Sequence, residues 1–327
     1  MAENETNCTT GSQGLYVFYS AVMILEFLVA LPLNASVLYI FLFKFKFWKT
    51  NTVFLFNLVL ADILLLIILP VIAYLFQQGM RRSDNITVCK ATLFLLFLNR
   101  GASIAFLTVI SIDRYLRVVH SRKQTFRKVL KRKTHISIFI WVLLLPLTVP
   151  TMLRTSDCCN SHNRDLEFVT GILREIVFFT QILVPFLILL FCALGIIRKL
   201  SERTIGKKDK IRRAVFLVSL VVIVFGVCFL PCAVSRMVLL IFRSQGWEDA
   251  EDTAVQVYDG IMVLSYIDCL LDPLVYCLSS SDFKTVYMSH FCKCLMHKDR
   301  PPPPNTIQGA VENELTPVKK NIRDYAR

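Results

Sequence analysis

The sequence predicts an all-α fold, a bundle of seven transmembrane helices, on three observations. Hydrophobic residues make up 55% of the 327 residues, above the roughly 45–50% of soluble domains, so a single soluble core could not bury them all. The apolar residues form continuous stretches, and most exceed the roughly 20 residues that span a bilayer. These stretches do not alternate with polar residues as barrel strands do. The backbone must therefore satisfy its hydrogen bonds within helices.

Seven apolar stretches follow one another along the chain, separated by short polar segments. Arg154 and Asp259 interrupt the ends of the fourth and the seventh, so these two have the least certain bounds. We place the stretches at about residues 15–43, 52–78, 89–117, 134–153, 170–199, 211–242 and 254–279.

Four segments make up the predicted domain organisation. Residues 1–14 form an extracellular amino terminus, and 15–279 form the helix bundle. Residues 280–295 form a short amphipathic eighth helix on the membrane surface. Residues 296–327 form a disordered cytoplasmic tail, because Pro301 to Pro304 cannot continue a helix.

The basic residues predict the orientation. Lys and Arg cluster in the first, third and fifth interhelical segments, whereas the opposite face carries acidic residues such as Glu248 and Asp249. The positive-inside rule then places the amino terminus outside the cell, in a plasma-membrane protein. The net charge of +13 is therefore a topology signal, and we expect no binding of nucleic acid.

Sites of covalent modification agree with this orientation. The sequons at Asn4, Asn7 and Asn85 fall on the outer face. Four cysteines also face outward, where disulfides persist. Cys89 can pair with Cys158 or Cys159, and the remaining one with Cys8. Two cysteines beyond the last helix, beside basic residues, are candidate palmitoylation sites: Cys292 and Cys294.

Ionisable groups within a membrane span are costly and mark functional sites. This chain has several in its predicted spans: Glu26, Asp62, Arg100, Asp113, Arg114, Asp259, Asp268 and Asp272, with Arg236 near the outer end of the sixth.

Short motifs in six of the predicted helices identify a family. They are Asn57 to Asp62, Asp113-Arg114-Tyr115, Trp141, Pro185, Cys228 to Pro231, and Asp272 to Tyr276. Together they resemble the rhodopsin-like class of G-protein-coupled receptors over about residues 15–295. Within that class, Asn99-Arg100 and Tyr115 to His120 resemble the hydroxycarboxylic acid and oxoeicosanoid receptor group. The segments Cys192 to Arg198 and Cys228 to Cys232, with Arg236, resemble the 12-hydroxyeicosatetraenoic acid receptors of that group.

The resemblance implies an activation switch at the inner face. Arg114 could pair with Asp113 while the bundle is closed and turn toward a G protein when it opens; the alternative is a plain surface ion pair. The expected G protein is of the inhibitory Gi/o type. Aromatic and proline residues transmit the change: Tyr115, Phe225, Phe229, Pro231, Pro273 and Tyr276. Arrestin recruitment should be weak, because Thr306 and Thr316 are the only serine or threonine residues beyond residue 290.

A polar cluster is expected at mid-membrane. Its carboxylates cannot all ionise without a cation or protons, and the resemblance implies a sodium ion. The alternative is a hydrogen-bond network without an ion. The chain departs from the family at Asp268, where Asn is usual. The members are Asn34, Asp62, Asn99, Ser103, Asp268 and Asp272.

Arg100 is the strongest indication of the ligand. It lies eleven residues after Cys89, about 16 Å along the helix, where a guanidinium needs an anion. We expect Arg100, with Arg236 and Tyr266, to bind the carboxylate of an anionic lipid or small acid. The alternatives are an internal pair of Arg100 with Glu26 or Asp259, and a nucleotide or peptide ligand. An enzyme, transporter or retinal pump is not expected, since no Lys in the seventh span could form a Schiff base.

Overall fold

The chain is described by a computed structural model, which covers residues 12–44, 52–120, 132–153, 165–201, 208–279 and 281–291. It divides into two units, Met1–Tyr287 and Met288–Arg327. Within the described ranges the regular elements are helices and no strand of a sheet is present, as the apolar pattern predicts. Of the second unit, only the last turn of a helix is described.

Ten α-helices lie in the described part of the chain and are numbered here in chain order. The first continues into a π-helical segment, Ile40–Lys44, and the sixth and seventh spans are each divided into two helices. The helices are α1 Gln13–Tyr39, α2 Thr52–Gln77, α3 Ile86–Val119, α4 Lys133–Leu153, α5 Asp165–Ser201, α6 Lys208–Cys228, α7 Leu230–Gln245, α8 Glu248–Ser265, α9 Asp268–Ser279 and α10 Ser281–Phe291.

Six helical segments of the described chain are long and apolar enough to cross a membrane, and a shorter apolar segment, Lys133–Val149, adds a seventh. That segment belongs to α4, whose 21 residues extend about 32 Å, close to the thickness of the hydrocarbon core. Large apolar side chains point away from the bundle, such as Phe18, Leu25 and Leu187, each more than 60% exposed. Such surfaces suit lipid, so the chain is a multi-pass membrane protein.

Helix α3 lies at the centre of the bundle. It packs against α2, α4, α5 and α6. Its inward face carries polar residues as well as apolar ones, and Arg100 and Asp113 are both buried. A central helix is surrounded by other helices, so its polar side chains must find partners or a ligand inside the protein.

The sixth span bends at Phe229, between α6 and α7. Pro231 follows in the first turn of α7, and because proline has no N–H, it leaves a carbonyl of the preceding turn without its helical donor. Hydrogen bonds from Phe229 N to Phe225 O, 3.0 Å, and from Ala233 N to Phe229 O, 3.3 Å, keep the two helices continuous. The break that Pro231 predicts is therefore present.

A second break divides the seventh span. The chain leaves the helix at Tyr266 and Ile267 and enters α9 at Asp268. The carboxylate of Asp268 accepts from the backbone N–H of Cys269 at 2.8 Å, which satisfies a donor at the start of α9.

Helix α10 corresponds to the eighth helix predicted for residues 280–295. It is anchored by Phe283, which is fully buried with its ring centroid 5.1 Å from that of Phe41 and 6.2 Å from that of Tyr276. Tyr287 also lies 3.3 Å from the hydroxyl of Ser36 in α1. These contacts fix the first turns of α10 to the bundle. The predicted location on the membrane surface stays a prediction.

Candidate ligand site

Arg100 lies in the interior of the bundle with only 7% of its surface exposed. Its Nη2 donates to the hydroxyl of Ser265 at 3.1 Å and lies 2.7 Å from the sulfur of Met262. The guanidinium carbon lies 5.8 Å from the ring centroid of Phe178. Nη1 has no hydrogen-bond partner in the described part of the chain. A neutral hydroxyl and sulfur atoms do not neutralise a cation, so this charge is left uncompensated by its direct contacts.

Neither of the two internal partners considered for Arg100 is bound to it. Asp259 accepts from Arg81 through two hydrogen bonds, at 2.6 and 2.9 Å, and from the hydroxyl of Tyr16 at 2.7 Å. Glu26 is 4% exposed, and neither of its carboxylate oxygens has a partner among the described residues. The ion pair that would make Arg100 purely structural is therefore not formed there.

A cavity opens beside Arg100. It has about 710 Å³ of empty volume, which includes the space of its open mouth. Most of its walls are apolar, and its polar groups include the guanidinium of Arg100 and the hydroxyls of Ser265 and Tyr266. The lining residues are Ile72, Phe76, Arg82, Leu93, Leu96, Phe97, Asn99, Arg100, Phe229, Tyr258, Asp259, Met262, Val263, Ser265, Tyr266 and Asp268.

The structure brings two of the three predicted ligand residues together. Arg100 and Tyr266 both line the cavity, whereas Arg236 does not. The guanidinium of Arg236 forms an ion pair with Glu175 and lies 5.5 Å from the ring centroid of Tyr258. The expectation that Arg236 shares the cavity with Arg100 is therefore corrected. The carboxylate of Glu175 on α5 binds Arg236, and no motif in the sequence indicates that pairing.

Residues of the first outer segment also contribute to the site, which the sequence analysis did not anticipate. Arg81 binds Asp259 of α8, which lines the cavity. Burial disfavours its charge, but the adjacent Asp259 carboxylate outweighs burial and holds the pKa of Arg81 above its usual value. Arg82 follows directly and lines the cavity itself. The consecutive arginines after α2 were the available signal.

The asparagines predicted in the polar cluster hold backbone groups. Asn34 donates to the carbonyls of Ala30 and Cys269, at 3.1 and 3.0 Å. Asn99 donates to the carbonyl of Ala61 at 2.8 Å. These bonds join α1 to α9 and α3 to α2 at mid-membrane. The Oδ1 atom of Asn34 has no partner within the described ranges.

The carboxylates of the cluster are fully or almost fully buried. Asp62 accepts from the hydroxyl of Tyr276 at 3.0 Å, a contact that the sequence analysis did not predict. One oxygen of Asp62, the hydroxyl of Ser103 and both oxygens of Asp272 have no partner in the described residues. Asp62, Asp268 and Asp272 act on one another electrostatically. No three His, Cys, Asp or Glu side chains converge on a metal geometry within those residues.

Aromatic rings connect the cavity to the sixth span. Phe229 lines the cavity, and its ring centroid is 5.2 Å from that of Phe225. Phe225 stacks on Phe186 of α5 at 5.7 Å, with an angle of 22° between the rings. Phe225 and Phe229 are buried. Because Phe229 both lines the cavity and lies at the bend, a shift of this side chain would act directly on the bend of the sixth span.

At the inner end of α3, Asp113 is bound by two cations. Arg117 donates to it at 2.8 Å, and the Lys133 ammonium at the start of α4 lies 3.1 Å away. The expected partner was Arg114, so the pairing is corrected. Arg117 is one helical turn away on the same face, and Lys133 is 2% exposed. The switch role of Arg114 stays a prediction.

Tyr115 packs on other residues of the inner half. Its ring centroid is 5.3 Å from that of Phe191 on α5. The nearest position on α5 is Gly195, where an added Cβ would overlap the ring of Tyr115. Pro273 lies inside α9, before Tyr276.

Few of the predicted modification sites fall in the described ranges. Cys89 is disulfide-bonded, and Asn85 caps α3, its Oδ1 accepting from the backbone N–H of Thr87 at 2.9 Å and of Val88 at 3.2 Å. The other sites lie outside those ranges: Asn4, Asn7, Cys8, Cys158, Cys159, Cys292 and Cys294.

Comparison with known proteins places this geometry in context. A family model described as 7 transmembrane receptor (rhodopsin family) matches residues 33–276. The 12-(S)-hydroxy-5,8,10,14-eicosatetraenoic acid receptor of Mus musculus is 35% identical over 290 residues, 86% of this chain and 91% of that receptor. Hydroxycarboxylic acid receptor 2 of Homo sapiens is 33% identical over 316 residues, 91% of this chain and 84% of that receptor. Oxoeicosanoid receptor 1 of Homo sapiens is 30% identical over 279 residues, 84% and 72% of the two chains.

Proposed function

Since this chain belongs to the rhodopsin family of seven-transmembrane receptors, we propose that it is a receptor for a lipid-derived or small carboxylic acid. It is a G-protein-coupled receptor and not an enzyme. The names of three relatives refer to hydroxy fatty acid, hydroxycarboxylic acid and oxoeicosanoid ligands. A hydroxy or oxo fatty acid is the ligand class that the cavity favours, because its walls are mostly apolar.

One observation supports the acid above all. Arg100 is buried beside an apolar cavity, its Nη1 has no partner among the described residues, and no carboxylate of those residues binds it. A ligand carboxylate can form two parallel hydrogen bonds with a guanidinium. These two bonds would compensate for the hydration that the carboxylate loses on entering the bundle. Tyr266 supplies a further hydroxyl donor in the same cavity.

The experiment measures nucleotide exchange on a purified G protein for a panel of carboxylic acids, with wild type and Arg100→Ala. Loss of the buried cation should weaken acid agonists by about 2–5 kcal/mol, roughly 30- to several-thousand-fold. Arg100→Lys should restore little, because an ammonium lacks the planar fork. Methyl esters of active acids should fail on wild type.

Arg243→Ala is the matched control, because Arg243 lies at the outer end of α7, paired with Glu251 and 51% exposed, and does not line the cavity. Nucleoside diphosphates belong in the panel, since Arg100 would also suit phosphate. Equal potency of acid and ester, without hydrolysis, would show that Arg100 does not bind the ligand charge.

Coupling to an inhibitory Gi/o-type G protein is part of the proposal, and the family resemblance supports it. Receptor in lipid vesicles should accelerate nucleotide exchange on Gi heterotrimers and not on stimulatory ones. Arrestin recruitment should be weak, and deletion of residues 300–327 should change it little. The amino terminus lies outside the cell in this scheme, with Cys89 paired to Cys158 or Cys159, and Cys292 and Cys294 as palmitoylation sites.

Sodium binding at the mid-membrane cluster is a further part of the proposal. Oxygen atoms without partners in the described residues, on Asn34, Asp62, Ser103 and Asp272, are the ligand type that hard cations take. The ion would offset the repulsion among the carboxylates. Replacing sodium by choline should raise agonist affinity in wild type and leave the agonist affinity of Asp62→Asn unchanged.

A further inference from the structure

We infer that Arg82 is a second anchoring cation of the cavity, and that the ligand carries, besides its carboxylate, an acceptor oxygen on its hydrocarbon chain that Arg82 binds. This inference rests on the proposed function, because Arg100 takes the carboxylate. It assigns Arg82 to the selection of oxygenated acids over unsubstituted ones.

Two neighbouring arginines of the first outer segment have different roles. Arg81 uses Nε and Nη2 on the two oxygens of Asp259, at 2.6 and 2.9 Å. Tyr16 of α1 donates to the same carboxylate at 2.7 Å. These three bonds tie the segment to α1 and α8. They also fix the backbone from which Arg82 projects.

Arg82 has no such partner. It lines the cavity and is partly buried, and no carboxylate of the described residues forms an ion pair with it. Its charge and that of Arg100 both act on the hydroxyl of Tyr266, so the two guanidinium groups belong to one electrostatic environment. A guanidinium offers five N–H donors and no acceptor, so Arg82 takes acceptor atoms from solvent or from a ligand in the cavity.

The charges of the cavity leave room for one full negative charge on the ligand. Besides the two arginines, Asp259 and Asp268 line it. Asp259 is neutralised by Arg81. Asp268 acts on Arg100 at a distance but forms no ion pair with it in the described chain. Asp268 thus adds an acidic group to the lining beside the arginines, so a neutral acceptor oxygen suits Arg82 better than a second carboxylate.

Apolar walls join the two cations. Phe76, Leu93, Phe97 and Met262 line the same cavity and offer a hydrocarbon chain contact without a competing polar group. An acid that is held at one end by Arg100 and lies along these residues presents the substituents of its chain to Arg82. A hydroxyl or keto oxygen at that point accepts a charge-assisted hydrogen bond.

The test compares two acids that differ by one oxygen: 12-(S)-hydroxy-5,8,10,14-eicosatetraenoic acid and the same acid without its hydroxyl. Agonist potency is measured by nucleotide exchange on wild type and Arg82→Met, which keeps an apolar stem. The hydroxy acid should lose about tenfold or more in potency. The unsubstituted acid should change less than about threefold. Arg82→Gln, which keeps a donor, should fall between.

Lys90→Met is the control, since Lys90 is an outer cation one residue from Cys89 that does not line the cavity. It should leave both potencies unchanged, which excludes a general effect of surface charge. Equal loss for both acids in Arg82→Met, or no loss for either, would overturn the inference. The acid that carries a second carboxylate at the far end of the same chain is tested as well. If only this dicarboxylic acid loses potency in Arg82→Met, the inference is overturned, because Arg82 would then bind a charged group. If no acid activates wild type, or if Arg100→Ala responds normally, the proposed function fails together with this inference.

Discussion

Among single residues, Asp259 is a carboxylate with only 8% of its side chain exposed that holds a cation from another part of the chain. The partner, Arg81, lies 178 residues earlier in the sequence. Sequence reasoning identified Asp259 as a costly charge but considered Arg100 as its partner. A contact between a loop and a distant helix leaves no periodic signal, so only the packing of α1, α2 and α8 reveals it.

Asp259→Asn should destabilise the receptor, because it leaves Arg81 buried without a counter-charge. Removing one member of a buried pair typically costs about 3–5 kcal/mol. The lower end is expected here, since the Arg81 side chain is 24% exposed. The measurement is the thermal midpoint of purified receptor in detergent. Arg81→Met added to Asp259→Asn should recover part of the loss, and a double variant no more stable than the single one would argue against a coupled pair.

Arg114→Ala should remove most agonist-stimulated nucleotide exchange while agonist binding and surface expression persist. The reason is that Arg117 and Lys133 both bind Asp113, so the charge of Asp113 stays compensated when Arg114 is removed. Arg117→Ala is the matched control: Lys133 still neutralises Asp113, and exchange should fall much less. Normal exchange in Arg114→Ala would exclude the switch.

At the scale of elements, α1 and α8 are in tight contact where Gly260 faces Tyr19. A Cβ atom added at Gly260 would lie 2.6 Å from Cζ of that ring, which is closer than real contacts allow. The Tyr19 hydroxyl also donates to the carbonyl of Gln256 at 3.2 Å, so the ring cannot withdraw freely. The glycine therefore sets the distance between the two helices.

Gly260→Ala should lower stability by about 1–3 kcal/mol through overpacking, seen as a lower thermal midpoint in detergent. Gly226→Ala is the control in α6, because nothing lies within 4 Å of the added Cβ there. That variant should be neutral or slightly stabilising, as alanine favours helices. Tyr19→Leu should rescue Gly260→Ala; if the two glycine variants behave alike, the close contact does not limit stability.

The two breaks differ in how well the sequence predicts them. Proline at position 231 gives a direct reason for the bend at Phe229, and the structure confirms it. The break after Ser265 has no proline or glycine beside it. It depends on Asp268, whose carboxylate caps the next helix. An aspartate in an apolar stretch signals a buried charge more strongly than a cap, which is why the sequence placed Asp268 in the polar cluster alone.

For the molecule as a whole, the apolar stretches predicted the helical bundle and most helix ends within a few residues. The site was predicted less completely. Arg100 was predicted because it lies on the inward face of α3, and helical periodicity reveals such a face. Phe229 and Tyr266 share the cavity with it from the breaks of the sixth and seventh spans. Arg82 was missed because it lies in a loop, and Arg236 was misplaced because Glu175 on another helix captures it.

Orientation can be tested through the cap of α3. Asn85 is exposed and begins the helix on the predicted outer face, so wild type should carry a glycan there, seen as a mass loss on glycosidase treatment. Asn85→Asp should remove that glycan without loss of stability, because aspartate keeps the capping oxygen. Asn85→Ala should remove the glycan and also cost about 0.5–2 kcal/mol. An unglycosylated Asn85 in cell-surface receptor would contradict the outer placement.

The aromatic residue at the bend, Phe229, also determines whether intrinsic fluorescence can detect ligand binding. Neither described tryptophan lines the cavity: Trp141 donates to Oδ1 of Asn57 at 2.7 Å, and Trp247 lies 57% exposed beyond α7. Ultraviolet emission from these two indoles should therefore remain constant while ligand enters. Phe229→Trp would place a fluorophore at the cavity wall beside Phe225, so that emission wavelength and quenching would follow occupancy in real time without an attached dye.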